Sequence, residues 1–225
     1  MFGKKIKSIN QLNIHHIVLV FALTCITVCI PKFSLAEDKH PAHTPSILIL
    51  GDSLSAEYGI TRGTGWVALL NKQLKQEKKN VAVINASISG ETTAGGLNRL
   101  NNLLKLHQPH IVIIELGAND GLRGLPIQTA ESNLKQIIQQ SQKSGAKVLL
   151  LGMRIPPNYG QDYTQKFFNM YGKLAQAENV ALIPFFLTKV ADKVELFQTD
   201  RIHPNEKAQP ILLENIWGEL KKLLP

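Results

Sequence analysis

Beyond residue 29 the 225-residue chain has no cysteine; its two, Cys25 and Cys29, stand in an apolar N-terminal stretch. A disulfide framework, cysteine-ligated zinc and a cysteine nucleophile are therefore excluded from the rest of the chain. That apolar stretch, Ile17–Ile30, runs for about 14 residues, short of the ~20 that a membrane-spanning helix needs. There is no internal repeat, no low-complexity tract and no sign of a second domain. Strong charge is also lacking. The formal charge of +8 includes Lys4, Lys5, Lys7 and Lys32, and no acid precedes Glu37, so without residues 1–36 it drops to about +4. A mild basic balance fits an anionic surface nearby and is no nucleic-acid signature.

What the first 36 residues do have is the layout of a secretory signal peptide. A basic head precedes the apolar run, and Ser34-Leu35-Ala36 offers small residues where a signal peptidase reads. Cleavage after Ala36 would place the protein in the periplasm or outside a bacterial cell. Two alternatives stay open. One is an uncleaved anchor, since Lys32 is an unusual neighbour for a cleavage site; the other is lipid attachment at Cys25 or Cys29. Residues 37–45, with two His and two Pro, read as a flexible lead-in. Residues 46–225 are the right size for one domain with a full core.

Within that domain, short apolar runs alternate with helical patterns. The runs are Ile47–Leu50, Val81–Ile84, Ile111–Glu115, Val148–Leu151 and, more weakly, Val180–Ile183. Each is rich in β-branched residues and apolar on both faces, as parallel strands covered on both sides must be. Between them, leucines and isoleucines recur at helical spacing in Trp66–Gln76, around Leu97–Leu104 and Leu134–Ile138, in Tyr163–Ala177 and in Glu206–Leu224. This alternation predicts a three-layer, doubly wound α/β domain with about five parallel strands.

The residues after the strands carry the chemistry. Gly51-Asp52-Ser53-Leu54-Ser55 follows the first strand, Asn85 to Thr92 the second, and Gly117-Ala118-Asn119-Asp120-Gly121 the third. In a parallel sheet these loops share one edge, so Ser53, Gly90 and Asn119 should converge. A nucleophilic serine needs a base and donors for the oxyanion. The Ser53 and Gly90 N–H groups and the Asn119 carboxamide can supply the donors. Of seven histidines, His15, His16, His40 and His43 lie in the leader and lead-in, and His107 and His110 precede the third strand at the wrong edge. His203 is left as base, and Asp200, three residues earlier, can fix its tautomer.

These blocks resemble those of the GDSL, or SGNH, hydrolases. Gly51-Asp52-Ser53-Leu54-Ser55, Gly90, the Gly-x-Asn-Asp run at 117–120 and the Asp-x-x-His pair at 200–203 match four blocks in order. Within that family the chain is most similar to the periplasmic acyl thioesterase/lysophospholipase, or arylesterase, branch. Gly117 to Gly124 and Met153 to Gly160 share in that likeness. The resemblance implies a flavodoxin-like fold, a Ser53, Asp200 and His203 triad, and an oxyanion hole of Ser53, Gly90 and Asn119. It also implies no metal and no organic cofactor. One departure is visible: Arg201 stands where glycine is usual.

Other readings compete at several positions. Ser53 could cap a helix, Asn119 and Asp120 could be turn formers, and Asp200 and His203 could lie in a solvated loop. Asp52 is read as loop support through backbone N–H groups, not as a triad acid. Met153, Ile155, Pro156 and Tyr159, after the fourth strand, suit an acyl-chain wall, with a plain loop as the other reading. Phe167, Phe168, Phe185 and Phe186 are read as core. No Gly-x-Ser-x-Gly elbow exists, which argues against the other large serine-esterase fold.

The expectation is an exported, monomeric serine hydrolase of small acyl esters or thioesters, without nucleic-acid partners and in transient contact with membrane lipid at most. A carbohydrate or peptidoglycan O-acetyl esterase is the alternative enzyme. A catalytically silent surface-binding protein of the same fold is the alternative from another class.

Overall fold

Strands that are apolar on both faces can only be stable inside a sheet covered on both sides. In the computed structural model, which describes residues 44–225, all six residues of β1 (Ser46–Gly51) and all five of β3 (Ile111–Glu115) are buried. They lie side by side, Ile47 against Ile111 and Leu50 against Ile114. Next to β3 is β4 (Lys147–Leu151) and beyond it β5 (Ala181–Ile183), while β2 (Ala82–Asn85) flanks β1 on the other side. All pairings are parallel, in the order β2-β1-β3-β4-β5. The two edge strands are the less buried ones, which is why their sequence pattern is weaker. The leader read in residues 1–36 and nearly all of the lead-in read in 37–45 fall outside the described residues.

Helices α1 (Trp66–Gln76) and α6 (Gln209–Leu223) pack together on one face of the sheet. On the other face α4 (Ile127–Lys143) lies between α2 (Thr93–His107) and α5 (Gln161–Glu178). Each apolar stripe turns inward: Trp66, Leu70 and Leu74 of α1, Leu134, Ile137 and Ile138 of α4, and Leu212, Ile216 and Leu220 of α6 are buried. This is the three-layer, doubly wound arrangement read from the sequence.

The structure departs from the sequence reading after β3 and at the start of the last helix. The stretch after β3, read as a loop, winds into a short helix, α3 (Ala118–Leu122). The last helix begins with a 3₁₀ turn at Glu206–Ala208 before becoming α-helical at Gln209.

In a sheet of this order the strand sequence reverses between β1 and β3, and the crevice beyond their carboxyl ends is where such folds bind ligands. The loops after β1 and β3 meet there.

Candidate active site

The chain leaves β1 in a helix-like turn. Ser55 and Ala56 N–H donate to Asp52 O at 3.3 and 3.0 Å, and Tyr58 N–H donates to Ser53 O at 3.3 Å. Ser53 is not a helix cap, because the next helix starts only at Trp66, with Gly65 at its cap. Its hydroxyl faces His203 instead: Ser53 Oγ lies 3.0 Å from His203 Nε2. On the far side of the ring, His203 Nδ1 is 2.7 Å from Asp200 Oδ2.

The loop carrying Asp200 and His203 is tightly bound. Ile202 and His203 N–H both donate to Asp200 Oδ1, at 2.9 and 3.0 Å. Burial works against ionisation of Asp200. The donations from His203 N–H, Ile202 N–H and the His203 ring outweigh it and hold the carboxyl at about 2. Asp200 is thus an anion throughout the neutral range, suited to fixing the Nδ1–H tautomer. The turn requires a left-handed residue, and Arg201 supplies it with φ 58°. That backbone position is why a glycine would be expected there.

Two contacts tie this loop to the Ser53 loop. The Gln198 side-chain amide donates to Tyr58 O at 2.8 Å, while Gln198 N–H donates to His203 O at 2.8 Å. The Tyr58 ring lies against the imidazole, centroids 4.5 Å apart. Neither Gln198 nor Tyr58 stood out in the sequence, because they act through backbone and ring contacts that no spacing announces.

Asn119, in the first turn of α3, points its carboxamide back across the crevice. Nδ2 donates to Asp52 Oδ2 and to Glu91 O, both at 3.0 Å. A substrate oxygen reaching Asn119 must therefore share one of these hydrogens. Gly90 takes φ 78°, a conformation that favours glycine, and Arg123 Nη2 donates to its carbonyl at 2.8 Å. The N–H groups of Ser53 and Gly90 meet no acceptor among the described residues. Gly117, at φ 110°, lets the chain turn over Tyr171: a Cβ there would sit 2.4 Å from Tyr171 Oη. That hydroxyl donates to Leu116 O at 3.0 Å.

Beneath the Ser53 loop are two carboxyl groups. Asp52 accepts from Leu54 N–H at Oδ1, as expected of loop support, and from Asn119 at Oδ2. Glu115, at the end of β3 and fully buried, accepts from Asp52 N–H at 3.2 Å and Ser55 Oγ–H at 2.8 Å, both at Oε2. Burial is the main cause that pushes Asp52 up to about 6 and Glu115 well above the ordinary carboxylate range, and the Asp52 charge pushes Glu115 further. An acid closing an otherwise apolar strand was the available sequence signal for Glu115.

A cavity of ≈ 1520 Å³ opens at Ser53 and runs along the ends of β4 and β5 toward α6. Asn119, Met153, Ile155, Pro156, Arg201 and His203 all line it. Met153 and Ile155 are more than nine-tenths buried, so they shape the wall and expose little of themselves. Gly90 and Tyr159 are not among its lining residues. Tyr159 instead donates its hydroxyl to Leu122 O at 2.8 Å, bracing the segment after β4 against α3. Phe167 and Phe186 are core, as read. Phe168 and Phe185 are not: they line the cavity, with the Arg154 guanidinium 4.1 and 5.1 Å from their ring centroids. The next residue in each case, Phe186, or the previous one, Phe167, takes the inward direction.

Comparison with known proteins bears on this geometry. The family described as GDSL-like Lipase/Acylhydrolase matches residues 49–210. The chain is 50% identical over 183 residues to Esterase TesA of Pseudomonas aeruginosa, covering 81% of this chain and 91% of that one. It is 45% identical over 183 residues to Thioesterase 1/protease 1/lysophospholipase L1 of Escherichia coli K12, covering 81% and 86%. A crystal structure of TesA superposes with a TM-score of 0.78 at 50% identity, over 80% of this chain and 99% of that one.

Proposed function

The chain belongs to the GDSL-like lipase/acylhydrolase family, and on that premise we propose that it is a carboxylic ester hydrolase, cleaving acyl esters and thioesters through a covalent Ser53 acyl-enzyme. The observation that carries this reading is the continuous relay from Ser53 Oγ through His203 to Asp200, at 3.0 and 2.7 Å, set at the crevice between β1 and β3.

In the forward step His203 Nε2 takes the Ser53 proton as Oγ bonds to the acyl carbon. The imidazolium so formed is balanced by Asp200. Charge developing on the carbonyl oxygen is met by the Ser53 and Gly90 N–H groups and the Asn119 carboxamide. His203 then gives its proton to the departing alkoxide or thiolate. In the second half, water loses a proton to His203 and attacks the acyl carbon; His203 then returns that proton to Ser53 Oγ as the bond from Oγ to the acyl carbon breaks. Every group needed comes from one chain, so a monomer suffices. The size of the cavity favours acyl chains well beyond acetyl and thus a lysophospholipid, aryl ester or acyl thioester over an O-acetyl sugar.

Ser53→Ala should cut turnover of p-nitrophenyl acyl esters by at least ~10³-fold in a folded protein. Retained turnover would remove Ser53 as nucleophile. In the same assay, rates should rise from acetyl to medium-length chains; a steep fall beyond acetyl would favour the deacetylase reading instead. Export completes the proposal: the leader read in residues 1–36 would carry the enzyme to the periplasm or outside. N-terminal sequencing of the exported form should begin at Glu37, and a chain beginning at Met1 would argue for an anchor.

A further inference from the structure

The hydrolytic scheme leaves one feature of the site unused: the buried carboxyl pair under the nucleophile. Asp52 is 1% exposed and Glu115 not at all. Neither forms an ion pair with Lys or Arg among the described residues. Two adjacent anions without a cation are untenable at such depth, because desolvation and mutual repulsion both favour retaining a proton.

The donors around the pair decide which group retains it. Asp52 has a donor at each oxygen, Leu54 N–H at Oδ1 and Asn119 Nδ2 at Oδ2. Glu115 has both of its donors at Oε2, and its Oε1 has no partner among the described residues. Hydrogen bonds to the charged form favour that form, so the charge belongs on Asp52 and the proton on Glu115. A neutral Glu115 gains a donor of its own, while Oε2 still accepts from Asp52 N–H and Ser55 Oγ–H.

We propose that Glu115 is a neutral carboxylic acid that serves as a positioning residue, fixing the Asp52 carboxylate that in turn orients the Asn119 carboxamide and the Ser53 loop. This rests on the acyl-transfer reading above. Glu115 touches the loop at Asp52 N–H and Ser55 Oγ, and it lies so close under Gly51 that a Cβ there would meet Glu115 Oε2 at 2.9 Å. Asp52 then passes the constraint to Asn119 on a different element, α3. The result is one rigid block joining the ends of β1 and β3. Other titratable groups face the pair: His203 across the loop and Tyr171 from α5. Of these His203, when protonated, favours the Asp52 anion, and none supplies a permanent cation.

Glutamine is the test, because it reproduces a neutral acid in shape, acceptor and donor but cannot replace a carboxylate's charge. Glu115→Gln should keep kcat within about threefold of wild type, whereas Glu115→Ala should lose about tenfold or more in kcat with little change in KM, as misplaced catalytic groups do. Infrared spectroscopy at mildly alkaline pH should show a protonated-carboxyl C=O band that disappears in Glu115→Gln. Recording it in a Ser53→Ala background makes that result independent of turnover. A missing band, or a Glu115→Gln enzyme whose kcat falls tenfold or more, overturns the proposal, and this holds even if Glu115→Ala does not fold. The two readings fail differently. Loss of the acyl-enzyme scheme would appear as turnover in Ser53→Ala and no Ser53 labelling by a fluorophosphonate, whatever the state of Glu115.

Discussion

Arg201 sits between Asp200 and His203 with its backbone in the left-handed region, φ 58°. For a residue with a Cβ that conformation costs about 1–2 kcal/mol, and the cost is accepted because the turn lets Asp200 collect both the Ile202 and His203 N–H groups. Among the described residues no hydrogen bond depends on the Arg201 side chain, which is exposed at the cavity edge. Arg201→Gly should therefore relieve the strain, and glycine's greater freedom in the unfolded chain offsets only part of the gain. The expected result is a net stabilisation of roughly 0.5–1 kcal/mol, read as a higher Tm. A lower Tm would mean that the side chain contributes packing that the geometry does not reveal. Sequence reading could pair Asp200 with His203 because Asp-x-x-His fixes a reach within one turn, and could place Ser53 at the shared sheet edge because it follows the first strand. It could not reach Glu115, Gln198 or Tyr58 in the same way. Their importance arises from contacts with residues 60, 5 and 145 positions away, Ser55, His203 and His203 respectively.

Elements were legible in proportion to their burial. The central strands β1, β3 and β4 lie between two helical layers, so their apolar runs coincide with their bounds to within a residue or two. The edge strand β2 shifts by one position, to Ala82–Asn85, because Val81 N–H turns back to Lys79 O and leaves the ladder. Helix α3 was hidden for a physical reason. Its sequence Ala-Asn-Asp-Gly-Leu combines residues that prefer turns, and its stability comes from neighbours. Asp120 accepts from Thr93 N–H and Thr93 Oγ1–H at 2.9 and 2.6 Å, docking α3 to the start of α2. Asn133 Nδ2 adds a donation to Thr93 Oγ1 from α4 at 3.1 Å. The split of the phenylalanine pairs was equally invisible. Adjacent residues on a helix or turn point different ways, and only the packed molecule shows that Phe168 and Phe185 face the cavity while Phe167 and Phe186 face the core.

For the whole molecule, the buried pair makes stability depend on pH in a direction opposite to that of a salt-bridged acid. Burial raises Asp52 from 3.8 to about 6, so between those values the folded protein binds more protons than the unfolded chain. Its contribution to stability is full below about pH 4 and is lost as pH rises through about 6. Asp200 runs the other way: held at about 2, it contributes above the unfolded value and loses that contribution as pH falls through about 2. At neutral pH the Asp52 anion is thus a cost, up to ~3 kcal/mol at 1.36 kcal/mol per unit, retained because it holds Asn119. Substituting Asp52→Asn removes the titration but replaces an acceptor of Asn119 with a group that cannot serve it as well. The Tm of Asp52→Asn relative to wild type should climb as pH rises from about 4 to about 7, while its kcat at the upper end falls below that of wild type. Thermal melts of the two proteins across that range measure the effect directly. A difference that stays flat with pH would place the proton elsewhere in the fold, and a kcat equal to wild type would separate the Asp52 charge from the orientation of Asn119.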